Sequence, residues 1–238
     1  MNRAPMVVGY KGEIGRFILA GLLEHLPKAN DIHCTDVSNS DAEVIERLER
    51  AHYVFLCVPL QETEAWLRRF RSHLSGKTVV EQCSVKAFLY ENPEFDDVDL
   101  LSMHLLFRPS GTPVGERRGI VFSMRHSAEE VARFRDEISI TLATPMSLLE
   151  SGAEAAYLVH DRIMARQQAL IHRVLLVLSG SLGDPALRTF VGERVCDLAE
   201  RVRSGDPSLY RLIQQNRFLP DEIAEFEARL RSFTIDDF

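Results

Sequence analysis

Short apolar runs without polar alternation recur through the first half of this chain, and most are followed by a stretch with helical spacing. "PMVVGY" (5–10), "DIHCTDV" (31–37), "YVFLCVPL" (53–60), "KTVVEQCSV" (77–85), "DLLSMHLLF" (99–107) and "GIVFSMR" (119–125) read as strands. "IGRFILAGLLEHL" (14–26), "AEVIERLERA" (42–51) and "QETEAWLRRFRSHL" (61–74) read as helices between them. Strands that are apolar throughout must be covered on both faces, and strands alternating with helices pair in parallel. The pattern predicts a doubly wound parallel α/β sheet.

Near residue 147 the strand signals largely stop. "SLLESGAEAAYLVHDRIMARQQALIHRVLLVLSGSL" (147–182) reads as a long helical stretch, and 184–218 and 219–233 continue it. Asp184-Pro185, Asp206-Pro207 and Pro220-Asp221 mark helix starts. The expected organisation is a Rossmann-type domain over 1–147 and a smaller all-helical domain over 148–238.

The formal net charge is −7. That argues against a nucleic-acid footprint, which calls for a basic patch. The arginines of 162–232 are interleaved with acids, as on a solvated helical surface. The four cysteines show no CxxC spacing, so they are expected to be reduced, buried small hydrophobes rather than disulfides or a zinc site. No apolar run reaches the length of a membrane span, and none precedes the first strand as a targeting segment. A cytoplasmic location is expected.

The first strand runs into Gly9-Tyr10-Lys11-Gly12-Glu13-Ile14-Gly15, and a helix follows. Glycines there permit a tight turn and a close approach of backbone to a pyrophosphate, while the helix N-terminus offers N–H groups to its oxygens. The spacing is GxxGxxG rather than GxGxxG. Asp36 ends the second strand, where an acid can bond the adenine ribose hydroxyls and repel a 2′-phosphate. The loop with Asp36 therefore points to NAD, although a nearby basic side chain would reverse the preference. Val58 and Pro59 end the third strand beside the expected cofactor position. Pro59 serves equally well as simple strand punctuation.

Ligands of such sheets bind beyond the carboxyl ends of the strands. Ser84 and Lys86 follow the fourth strand, and His104 lies near the end of the fifth. A lone histidine in an apolar strand is more often a hydrogen-bonded core residue than a catalyst. In the helical half, His160 and His172 are 12 positions apart and read as near one helix face; His160 alone reads as a surface or cap residue. The HxxxH metal spacing is absent, so no metal is expected. Arg201 and Arg203 precede Asp206-Pro207, and arginine suits bidentate carboxylate binding.

Taken together these segments resemble the prephenate dehydrogenase family, including its arogenate-using members. The carriers are "VVGYKGEIGR" (7–16), "CSVK" (83–86), "MHLLFRP" (103–109), "HDRIMARQQALIH" (160–172) and "RVRSGDPSLY" (201–210), in order and at fitting separations. The resemblance implies an NAD-dependent oxidative decarboxylation of prephenate to 4-hydroxyphenylpyruvate. Hydride leaves C4, the 4-hydroxyl loses its proton, and the ring carboxylate departs as CO₂. It implies that His104 accepts the proton and that Ser84 bonds near His104 and the nicotinamide. His172 and Arg201 would hold the substrate's carboxylate and keto groups, with Lys86 adding positive charge. It also implies a homodimer through the helical domain, and "ALIHRVLLVL" (169–178) is compatible with that or with an ordinary core helix.

Two departures fall beside the histidine. Leu105 replaces the family's proline, and Arg108 replaces the glycine of its Phe-Gly-Pro. Arg108 is a candidate substrate contact. It motivates a variant reading, the same chemistry on arogenate or on 4-amino-4-deoxyprephenate. A reading from another class is a non-catalytic NAD-binding interaction protein, for which the lost proline is the best support. Another Rossmann dehydrogenase would explain the glycine loop and Asp36 but not the "HD…H" and "R…DP" segments.

Overall fold

The computed structural model describes residues 4–26, 32–150 and 154–234. Its contacts divide it into two units. A sheet unit runs up to Ala156, and a helical unit comprises Tyr157 onward together with Ser84–Lys86.

The sheet unit holds β1 (Pro5–Val8), β2 (His33–Thr35), β3 (Tyr53–Leu56), β4 (Thr78–Glu81), β5 (Asp99–Leu105), β6 (Gly119–Phe122) and β7 (Met146–Leu148). They form one seven-stranded sheet in the order β2-β1-β3-β4-β5-β6-β7. The first five strands are parallel, as expected. β6 runs antiparallel to β5, and β7 is parallel to β6, so the sheet is mixed rather than wholly parallel. The reason lies in the connection. Between β5 and β6 the chain makes only a three-residue 3-10 turn, Val114–Glu116, and without a crossover helix it returns antiparallel.

The helices of this unit are α1 (Glu13–His25), α2 (Asp41–Arg50), α3 (Leu60–Phe70), α4 (Ala87–Tyr90) and α5 (Ala128–Thr141). The sequence reading covers α1 to α3 but places nothing over α5. The signal was present, because Ser127 and Glu130 form a reciprocal capping box. β7 lies where that reading begins its long helical stretch, and the helix itself starts only at Ala156. Asp31 of the second strand reading and residues 151–153 of the helical one lie outside the described residues.

Leu101, Met103 and Leu105 of β5 pack with Val7, Phe55 and Val80 beneath Ile18 and Leu22 of α1 and Phe134 and Ile138 of α5. Each such buried side chain contributes about 2 kcal/mol. Strand alternation then turns Leu100, Ser102 and His104 to the opposite face.

The helical unit consists of α6 (Ala156–Met164), a π turn (Ala165–Leu170), α7 (Ile171–Ser181), α8 (Phe190–Arg203), α9 (Pro207–Gln214) and α10 (Leu219–Ser232). Its apolar core is small: Ala169, Leu170, Ile213 and Leu219. Asp206 caps α9 with Pro207 in the first turn, as the sequence suggests, whereas Asp184 starts only a 3-10 turn. No described helix is long and apolar enough to cross a membrane. None of the four cysteines is in a disulfide; Cys83 is buried, but Cys34, Cys57 and Cys196 are half-buried, which corrects the expectation of four buried thiols.

Candidate functional site

Because β1 to β5 are parallel, their carboxyl ends share one edge. Val8, Thr35, Leu56, Glu81 and Ser102 are in register across it. The chain steps from β1 to β2 on one side and then to β3 on the other, so the crevice of a doubly wound sheet opens at β1.

The glycine loop sits at that crevice. Gly9 has φ of +78°, and a Cβ there would lie 2.5 Å from the Cys57 carbonyl oxygen. A Cβ on Gly15 would collide with the Gly9 carbonyl. Gly12 is the N-cap of α1 and brings no side chain to its first N–H groups, which leaves them for an anion. The first and last glycines of the GxxGxxG spacing thus have a steric cause. Tyr10 and Ile14 pack against the core and are half-buried. The Gly9 N–H donates to the Thr35 carbonyl at 2.8 Å, tying the loop to the end of β2. There the Asp36 carboxylate accepts the Lys11 and Val37 N–H groups at 3.0 and 2.9 Å.

Glu13, the first residue of α1, accepts the Ser110 N–H at 2.7 Å and Arg108 Nε at 3.0 Å. Burial pushes its carboxyl upward, and these donors outweigh that and hold it below the usual carboxylate range. Arg108 is thereby paired with the glycine loop, its side chain still largely exposed. Pro59 is the N-cap of α3, and its carbonyl accepts the Glu62 N–H at 2.9 Å, while Val58 beside it is half-buried.

His104 is the penultimate residue of β5 and stands two residues beyond the register line, roughly 7 Å further along the strand. It is 8% exposed and on the face away from the α1–α5 core. Sequence reasoning missed Glu81, which is wholly buried at the end of β4 and accepts the Cys83 N–H at 2.8 Å. Its signal was an acid at the end of an apolar strand.

The helical unit has a polar centre of its own. The Asp161 carboxylate accepts the Lys86 backbone N–H through both oxygens, at 2.8 and 3.0 Å. His160 Nδ1 lies 2.9 Å from Asp161 Oδ1, and Asn216 Nδ2 donates to the Asp161 carbonyl at 2.7 Å. His160 and Lys86 are fully buried, which overturns the reading of His160 as a surface or cap residue. Burial, and then the nearby Lys86 charge, hold the His160 pKa down to about 2. The ring is therefore neutral, and the bond assigns its proton to Nδ1, donating to Asp161. Asp161 and Asn216 were not identified as site residues from the sequence. Ser84 lies half-buried in the turn after β4, two positions before Lys86.

The π turn separates His160 from His172, so the uninterrupted helical spacing assumed for the pair does not hold. His172 packs edge-on against Tyr210, with ring centroids 5.0 Å apart. Burial holds its pKa below the usual histidine value. Its Nδ1 and Gln168 Oε1, four residues apart, are buried without hydrogen-bond partners among the described residues. His172 also lines a groove of about 570 Å³ with Arg173, Arg203, Tyr210, Arg211 and Gln214. Among the described residues no acid lines it, although the chain has a net charge of −7. Arg201 is exposed on α8 and does not line this groove; Arg203, two residues on, does. Among the described residues no group of three or more acid, histidine or cysteine side chains could hold a metal.

The sequence matches no protein-family model and no curated protein. The structure is similar to prephenate dehydrogenase from Aquifex aeolicus in complex with hydroxyphenyl propionate and NAD+, at 17% identity and TM-score 0.72 over 98% of this chain and 89% of that one. It is similar to a putative prephenate dehydrogenase from Corynebacterium glutamicum at 18% identity and TM-score 0.71, covering 98% of this chain and 80% of that one. Synechocystis arogenate dehydrogenase aligns at 19% identity and TM-score 0.65, over 96% and 89% of the respective chains. Across nearly its whole length, the chain has the fold of these dehydrogenases.

Proposed function

We propose that this protein is an NAD-dependent oxidoreductase of the prephenate dehydrogenase kind, which oxidatively decarboxylates prephenate to 4-hydroxyphenylpyruvate. The observation that carries the reading is the placement of His104 at the carboxyl edge of the sheet whose first crevice holds the glycine loop. The loop fits a dinucleotide: Gly9 and Gly15 leave room only for backbone, and the first turn of α1 has no side-chain cap.

The bound dinucleotide supplies the two-electron acceptor. His104 takes the proton of the 4-hydroxyl as the C4 hydrogen leaves with its electron pair, and returns it to that oxygen as the C1–CO₂ bond breaks and its electrons complete the aromatic ring. A neutral imidazole suits that base role. Ser84 steadies the reacting end through its hydroxyl. His172 holds a substrate oxygen with the nitrogen that has no partner among the described residues. Lys86 supplies cationic charge for a dianionic substrate, and Arg201 does so only from the exposed side of α8, outside the groove that His172 lines. Lys86 also has a structural part, since its N–H is held by Asp161. Arg108 offered the motive for arogenate or 4-amino-4-deoxyprephenate as substrate. Its pairing with Glu13 turns it to the glycine loop, which weakens that motive.

The protein works as a cytoplasmic homodimer in this reading. The support is apolar exposure on the helical unit: Val177 on α7, Phe190 and Val191 on α8, and Leu187 between them. Light scattering on purified protein tests this, and a monomer would refute it.

Product identification after mixing the protein, NAD+ and prephenate tests the reaction. NADH, CO₂ and 4-hydroxyphenylpyruvate are expected. Turnover of arogenate or the 4-amino analogue in preference would transfer the same chemistry to that substrate. Binding of NAD+ without turnover of any of the three would leave the non-catalytic reading in its place.

A further inference from the structure

The loop after β1 carries a lysine that its glycine pattern does not call for. The Lys11 N–H donates to Asp36 Oδ2 at 3.0 Å, and the Val37 N–H to Asp36 Oδ1 at 2.9 Å. Both carboxylate oxygens are thus oriented by backbone donors, and each keeps acceptor capacity for a ribose hydroxyl. The Lys11 side chain goes elsewhere. Its ammonium is 3.0 Å from Ser38 Oγ, which is its hydrogen-bond partner among the described residues, and no carboxylate pairs with it. Arg16 Nη1 donates to the Lys11 carbonyl at 2.7 Å and braces the loop from α1. The end of β2 therefore presents a carboxylate and, two residues on, a hydroxyl already joined to a cation.

An acid at this position ordinarily disfavours a 2′-phosphate, because it occupies the ribose hydroxyls and repels the added charge. A phosphate ester on the hydroxyl that Asp36 engages must lie just beyond that carboxylate. The groups next to Asp36 are Ser38 Oγ and Lys11 Nζ, a donor pair suited to a phosphate. We propose that Lys11 and Ser38 form a subsite for the adenosine 2′-phosphate, so that the protein binds NADP+ as well as NAD+ despite Asp36. The inference rests on the reading of Gly9–Gly15 as a dinucleotide loop. It makes Lys11 a specificity-determining residue and leaves the chemistry at His104 untouched.

The test is calorimetric titration of the purified protein with NAD+ and NADP+, without substrate, at low salt. Wild type is expected to bind the two within about fivefold of each other, since one charge-assisted contact offsets one repulsion. Lys11→Met keeps the backbone N–H to Asp36 and should weaken NADP+ by about tenfold while leaving NAD+ within about twofold. Lys11→Arg should restore NADP+. Added salt should erode the NADP+ affinity of wild type more than that of Lys11→Met, because the contact is exposed. Wild type that binds NAD+ but takes NADP+ about a hundredfold more weakly would overturn the proposal and leave the dinucleotide reading standing. Equal weakening of both cofactors by Lys11→Met would overturn it too, as the mark of a merely structural loop residue. Failure of both cofactors to bind would overturn the dinucleotide reading together with it.

Discussion

Each unit of this protein sets a histidine against an aspartate, and the two pairs behave oppositely. In the sheet unit His126 Nε2 lies 3.3 Å from Asp99 Oδ1 at a partly exposed position. The hydrogen bond to Asp99 raises the His126 pKa against a smaller effect of burial. In the helical unit His160 lies 2.9 Å from Asp161 and is held neutral. The difference teaches that a neighbouring carboxylate does not decide the charge of a histidine. Asp161 is already committed to the Lys86 N–H, Lys86 adds like charge, and the whole group is out of water. The sheet-unit pair keeps water within reach, so attraction wins.

The same division of labour, an accessible edge in one unit and a buried polar centre in the other, can be broken experimentally. The largest effect belongs to the sheet edge. His104→Asn should lower kcat about a thousandfold, near 4 kcal/mol, with NAD+ affinity unchanged. Steady-state kinetics beside NAD+ titration would show it, and full activity would remove His104 from the mechanism.

Asp161→Ala comes next. It strands the buried Lys86 N–H and the His160 Nδ1–H, and should destabilise the helical unit by about 3 kcal/mol. Hydrogen exchange should speed in α6 and α9 while the amides of β1 and β3 keep their protection. Uniform loss across both units would mean that they unfold as one.

Acid should then divide the units by sign. The unfolded chain protonates His160 below about pH 6.5, while the folded one resists to about 2, so stability of the helical unit falls as pH falls through that window. The loss is about 1.4 kcal/mol per pH unit, or about 2 kcal/mol at pH 5. The His126 pKa is raised, so its contribution is fully present below about pH 6.5 and lost as pH rises through the folded value. Denaturant melts at pH 7 and pH 5, with and without His160→Gln, would check this, the variant giving the flatter profile. The smallest effect is that of Asp99→Asn. It should cost under about 1 kcal/mol at pH 6, as a partly exposed pair does, and nothing measurable at pH 8.

Much of the sheet unit was legible in the sequence. β1, β3, β4 and β5 were each marked by an apolar run, because a strand covered on both faces has no polar side to display. The glycine loop and His104 were legible as positions, since a strand end followed by a loop locates itself in sequence. The start of α5 was legible too, in the Ser127–Glu130 capping box. Other features were not legible by any local rule. The direction of β6 depends on how the chain returns after β5. The role of Asp161 depends on an N–H that is 75 residues away. Which of Arg201 and Arg203 lines the groove depends on helix phase against α7 and α9.

By itself the sequence determined β1 to β6 and α1 to α3, where the backbone must pass without a Cβ, and which strand end bears the histidine. These follow from side-chain periodicity and sterics within a few residues of each other. Only the tertiary structure decided that Arg108 serves Glu13, that Lys11 reaches Ser38, and that His160 is locked neutral above Asp161. Charge state and ion partner are set by distance and exclusion of water among residues far apart in the chain, and a linear pattern carries neither quantity.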